Sequence, residues 1–118
     1  MGEDETATLV ARYAEAAREY GMAAEAGDYE RANAAHDVVV AAYRELRSRG
    51  ADAQRVLLRL SDNPDPPVRL WVASHALDFA PEVGEPILST LADVDVGTVG
   101  FNARMALEQW RKGELRFT

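Results

Sequence analysis

At 118 residues and 47% apolar content, the chain is long enough for one domain, residues 1–118, and too apolar for intrinsic disorder. It has no cysteine, which excludes disulfides, thiol catalysis and cysteine-ligated metal sites. Its net charge of −7 is spread over both halves, with ten acids and six bases in residues 1–50 and ten acids and seven bases in 51–118; no clustered positive face is left for nucleic acid, while a basic partner is attracted at long range.

No apolar run approaches the ~20 residues that span a bilayer, so no membrane partner is expected. The opening Met1-Gly-Glu-Asp-Glu-Thr6 lacks the apolar core of a secretory signal, and the absence of cysteine suits a reducing compartment; a cytoplasmic protein is expected. The alanine- and arginine-rich composition reads as bacterial and favours helices over sheet.

The first helix is expected from Asp4 or Thr6 to Ala26, with Leu9, Tyr13, Ala16, Ala17, Tyr20 and Ala24 as its apolar stripe and Glu3, Asp4 and Glu5 at its positive end. Gly27 ends it and Asp28 caps a second helix, Tyr29 to Ser48, whose stripe is Ala32, Ala35 or His36, Val39, Tyr43 and Leu46. So short a link makes the two an antiparallel hairpin. Gly50 stops the second helix, and a third follows from Asp52 to Leu60 on Val56, Leu57 and Leu60.

The segment Asp62-Asn-Pro-Asp-Pro-Pro-Val-Arg69 then breaks the chain, because the residue before a proline is pushed out of the α region. Pro66 or Pro67 opens a fourth helix, where a missing N–H costs nothing. It runs to about Phe79 on Val68, Trp71, Val72, Ala76 and Phe79. After Ala80-Pro81 a fifth helix starts at Val83 or Pro86 and ends at Ala92, using Ile87, Leu88 and Leu91. Residues 93–100 read as a loop or frayed start, and a sixth helix covers Thr98 to Lys112 with Phe101, Met105, Leu107 and Trp110 inward.

A shift of 30 residues lays Leu58 on Leu88, Ala73 on Ala103, Ala76 on Ala106 and Leu77 on Leu107. Both copies read short helix, acidic turn, longer alanine-bearing helix. One such pair cannot bury both faces, so stacking of neighbours is expected.

The stretch from Asp62 to Arg69, with Ala73, Ala76 and Leu77, resembles a HEAT-type repeat. The chain from Leu9 to Leu115 also resembles the DUF2019 proteins of bacteria. The matching stretches are Ala42-Tyr-Arg-Glu-Leu-Arg-Ser-Arg-Gly50, Val68-Arg-Leu-Trp-Val-Ala-Ser-His-Ala-Leu77 and Asn102-Ala-Arg-Met-Ala-Leu-Glu-Gln-Trp-Arg-Lys-Gly-Glu-Leu115. The resemblance implies an all-α, HEAT-like solenoid of about six helices, a long N-terminal hairpin followed by two short helix pairs. It brings no activity. Val99-Gly100 stands where Arg69-Leu70 stands in the first repeat, which breaks a regular arginine ladder.

His36 and His75 are the only histidines, and neither His-x-x-x-His nor Glu-x-x-His spacing occurs, so no metal site is expected. No serine or cysteine nucleophile stands in a recognisable setting. Gly97 and Gly100 lack the lysine and preceding strand of a phosphate loop. No cofactor and no enzymatic activity are therefore expected. Arg69 is expected to reach back to Asp62 or Asp65 and hold the turn.

The reading that remains is a protein-binding module, in concrete form an antidote that covers a basic toxin or nuclease. Contact candidates are Tyr43, Trp71, His75, Trp110 and Arg104, since aromatic and arginine side chains carry binding hot spots. The alternative is a small-molecule site between the hairpin and the first HEAT pair, lined by Tyr43, Trp71 and His75. A homodimer through the exposed hairpin is also compatible with this reading.

Overall fold

The described residues form six α-helices and one 3-10 helix, and no strand occurs among them. The computed structural model describes residues 2–117, with side chains from Glu5 onward. The side chains of Glu3 and Asp4, expected at the positive end of the first helix, lie outside the described residues. The helices form two compact units, one ending at Leu60 and one spanning Ser61–Phe117.

In the first unit, α1 (Gly2–Glu25), α2 (Tyr29–Ser48) and α3 (Ala51–Leu57) pack on one another. The α1–α2 link is set by Gly27, whose φ of +74° is the left-handed conformation that glycine adopts without penalty. The Gly27 N–H donates to the Ala24 carbonyl at 3.1 Å and the Asp28 N–H to the Ala23 carbonyl at 2.9 Å, a Schellman closure that satisfies two end carbonyls of α1. Asp28 then accepts from the Arg31 N–H at 3.2 Å and starts α2, as expected of an N-cap.

Leu9, Tyr13, Ala16 and Ala17 of α1 are buried, as are Ala32, Ala35, Val39, Ala42, Tyr43 and Leu46 of α2. Ala35, not His36, takes the inward position; the His36 side chain is 48% exposed beside Asp37. Alanines at the crossing let the two long helices approach closely, and each large buried side chain contributes about 1.5–3 kcal/mol.

The third helix is shorter than its apolar spacing implies. It ends at Leu57 and tightens into the 3-10 helix Leu58–Asp62, so that only Leu57 of its three expected anchors is buried. Pro64 restricts Asn63 just ahead, and the chain leaves the α-helix before it reaches that point.

In the second unit, α4 (Pro66–Ala76), α5 (Pro81–Val94) and α6 (Thr98–Arg111) pack pairwise. Leu70, Ala73 and Leu77, with Leu88 and Leu91 of α5 and Ala103 and Leu107 of α6, make one core. The positions matched by the 30-residue shift, Ala73 with Ala103 and Leu77 with Leu107, share this core. Val68, Val72, His75 and Ala76 of α4 are buried outside that cluster.

The fourth helix ends at Ala76, before the expected Phe79, in a turn closed by Asp78 N–H to His75 carbonyl at 3.0 Å and Phe79 N–H to Ala76 carbonyl at 3.1 Å. The fifth helix starts at Pro81, earlier than expected, and continues through Pro86. Pro81 sits in the first turn, where its fixed φ is already helical. Pro86 lacks the N–H that would reach back to Glu82, whose exposed position leaves that carbonyl to water. A Cβ at Gly84 would sit 2.5 Å from the Ala73 carbonyl, so glycine lets α5 touch the α4 backbone. Among the described residues no helix is long and apolar enough to cross a membrane.

Candidate functional site

The link Asp95-Val96-Gly97 between α5 and α6 offers Gly97 at the N-cap position, a residue with no side chain to cap. Asp95 does that work from two residues upstream. Its Oδ1 accepts from the Gly97 N–H at 2.7 Å and from the Gly100 N–H at 3.1 Å, on a helix start that also favours negative charge. A Cβ at Gly100 would collide with the Asp95 backbone carbonyl, so the link lies directly on the first turn of α6.

That contact decides which face of α6 turns inward. Gly100, Ala103 and Leu107 are buried, with Val99, Ala106 and Trp110 beside them. Phe101 and Met105, expected in the core, therefore face out, 56% and 36% exposed. Val94 and Val96 at the same corner are 71% and 99% exposed. Single exposed apolar residues carry no message; four of them lie within the 12 residues from Val94 to Met105.

Charge frames this corner on both sides. Asp93 is exposed at the end of α5. Arg104, one turn beyond Phe101, donates from Nη1 to the Ala92 carbonyl at 2.8 Å, satisfying an end carbonyl of α5 and tying α6 to it. Its guanidinium is thus held in a fixed place. Further along α6, Arg111 meets Glu85 of α5 at 3.3 Å.

The other contact candidates lie elsewhere. Tyr43 is fully buried in the first unit, and its hydroxyl accepts from Gln54 Nε2 at 3.0 Å. A ring with no exposed surface packs; it does not dock. His75 of α4 is 5% exposed and tilted against the ring of Trp71, the centroids 5.8 Å apart. Trp71 and His75 are thus brought together, and burial removes the histidine from any surface role. Trp110 is half-buried on the core of the second unit, near Leu115 and Phe117. Only Arg104 of the five belongs to the exposed corner.

Arg69 holds its turn through a different atom than expected. Its Nη1 donates to the Asn63 backbone carbonyl at 2.7 Å, not to Asp62 or Asp65, while the Asn63 side chain accepts from the Asp65 N–H at 2.9 Å. In the first unit, burial, with Tyr43 adding to it, pushes the Tyr13 hydroxyl well above the ordinary tyrosine range. Among the described residues no group of three His, Asp or Glu side chains is placed to hold a metal ion.

Residues 7–110 match the model of the family described as Domain of unknown function (DUF2019). The crystal structure of the protein RPA1889 from Rhodopseudomonas palustris CGA009 is similar at 27% identity and a TM-score of 0.87, over 94% of this chain and 92% of that one. No curated protein matches.

Proposed function

The chain belongs to the DUF2019 family, and from that premise we propose that it is a non-enzymatic protein-binding module of a bacterial cytoplasm that grips a basic partner. The observation that carries this reading is the α5–α6 corner, where Val94, Val96, Phe101 and Met105 stand exposed beside Asp93 and Arg104. An apolar centre with a fixed arginine and an aromatic ring is the usual make-up of a hot spot. The net charge of −7 supplies the long-range attraction.

A HEAT-like solenoid is part of the same proposal. Its support is the placement of Ala73 with Ala103 and Leu77 with Leu107 in a single core. In the most concrete form the partner is a basic toxin or nuclease whose cleft this chain covers. Helices ordered before docking lose little entropy on it, which suits tight inhibition.

The test is affinity capture from the source cytoplasm with the native chain and with the double variant Phe101→Lys, Met105→Lys. Both positions are exposed, so the melting temperature should stay near that of the native protein. The expected result is a basic protein held by the native chain and bound about 30-fold more weakly by the variant, the loss of one hot spot. Equal capture by both chains, or no basic protein at all, defeats the reading.

A further inference from the structure

The hairpin carries a separate surface, independent of the α5–α6 corner. Along α2, Arg31, Ala34, Val38, Ala41 and Glu45 are all exposed, Val38 at 40%. They recur at alternating intervals of three and four residues, the spacing of a heptad seam, beside the buried stripe that ends in Tyr43 and Leu46. Arg31, Ala34 and Val38 of the seam line an open groove of about 880 Å³ whose other wall is α1, where Arg12, Glu15 and Met22 stand.

Read from its two ends, the seam is the same chemistry with the sign of charge reversed. A cation, a small residue, a branched apolar residue, a small residue and an anion follow in order. We propose that this face pairs with a second copy of the chain in antiparallel fashion, about a two-fold axis that passes through Val38. Val38 then meets Val38 of the second copy, Ala34 lies by Ala41, and Arg31 meets Glu45 at both ends. Symmetric pairing of one patch with itself requires such self-complementarity.

The other wall of the groove obeys the same axis. Glu19 with Arg31 at 2.7 Å and Glu5 with Arg49 at 3.7 Å set the register of the hairpin. Interpolating between those two bridges places Val38 level with the Arg12–Glu15 turn of α1. The axis therefore sets Arg12 of each copy against Glu15 of the other. Neither Arg12 nor Glu15 has an ion-pair partner of its own among the described residues.

Net charge argues for the same face. Two copies at −7 each repel over most of their surface. Here Arg12, Arg31 and Arg49 balance Glu15, Glu19 and Glu45, Arg31 already pairing with Glu19 and Arg49 with Glu45 within each copy, and the apolar centre can approach its twin without that penalty. The extent is modest: about 21 Å of helix by about 20 Å for two helices gives roughly 400 Å² per copy. That lies below the ~800 Å² per partner of a standard interface, so a dissociation constant on the order of 10–100 µM is expected.

Sedimentation equilibrium of the full chain from about 5 to 500 µM should show a monomer–dimer equilibrium in that range. Val38→Lys, at an exposed position, puts two ammonium groups face to face on the axis and should weaken dimerisation more than tenfold with an unchanged melting temperature. Since the chain has no cysteine, Val38→Cys tests the axis directly: mild oxidation should give a disulfide-linked dimer, while Ala34→Cys, displaced from its own twin, should cross-link poorly. A monomer throughout overturns the proposal. So does a dimer indifferent to Val38→Lys, or equal cross-linking from both cysteine variants.

Discussion

In the first unit the two long helices, α1 and α2, each present a buried stripe, and the link between them is closed by the adjacent residues Gly27 and Asp28. In the second, helices of 11 to 14 residues are joined by links that fold back on the elements they connect. Asp95 reaches forward two and five residues, Arg69 reaches back six, and Arg104 reaches back twelve to the Ala92 carbonyl. Short helices are marginal alone and draw their stability from tertiary partners. The contrast teaches that a long hairpin is specified by local chemistry, while a proline-broken half depends on a few side chains that grip backbone at a distance.

The largest expected effect breaks the second unit where two backbones touch. Gly100→Ala should cost about 3 kcal/mol, because a methyl group must displace the Asp95 carbonyl, and lower the melting temperature by about 10 °C. A melt within about 2 °C of the native protein would show that the link yields and that the second unit does not depend on this close approach.

Two arginines sharpen the contrast. Arg69→Ala removes a charged donor from the part-buried Asn63 carbonyl and should cost about 2 kcal/mol by urea unfolding. Arg31 makes a bidentate contact with Glu19 at 2.7 and 2.8 Å, and that hydrogen bond raises its pKa, but both side chains are nearly half exposed. Exposed pairs contribute little, so Arg31→Ala should leave the urea midpoint almost unmoved. If the two variants fall together, long-range grips do not distinguish the units.

An effect smaller than that of Arg69→Ala belongs to the local link. Asp28→Ala deletes the N-cap of α2 and should cost about 1 kcal/mol. Hydrogen exchange should show the loss confined to the first turn of α2, where the Arg31 N–H loses its acceptor. Loss of protection throughout the hairpin would mean that its link, too, governs more than its own ends.

The hairpin was legible almost residue by residue. Tyr29 and Ser48 bound α2 as expected, and Tyr13, Val39 and Leu46 are buried as their spacing implies. The second half was legible as a set of helices but not in its facing. Phe101 and Met105 share a helical stripe with Leu107 and Trp110 loosely enough that size favours the wrong side. The inward choice falls to Gly100 and Ala103, because small residues permit the close approach to α5 and large ones do not. A glycine and an alanine three apart, read as a contact face, were the signal available. Arg69 went to a backbone carbonyl because Asn63, not the neighbouring aspartates, was the acceptor within its reach.

The amino-acid pattern by itself determined that the chain is helical, where proline and glycine break it, and which stripe of the long hairpin is buried, since each follows from backbone sterics and periodicity within a turn or two. Only the tertiary structure decided which residues are left outside. The exposure of Phe101, Met105 and Val96, and of the Arg31–Glu45 seam, depends on how closely neighbouring helix axes approach, and that distance is set by residues far apart in the chain.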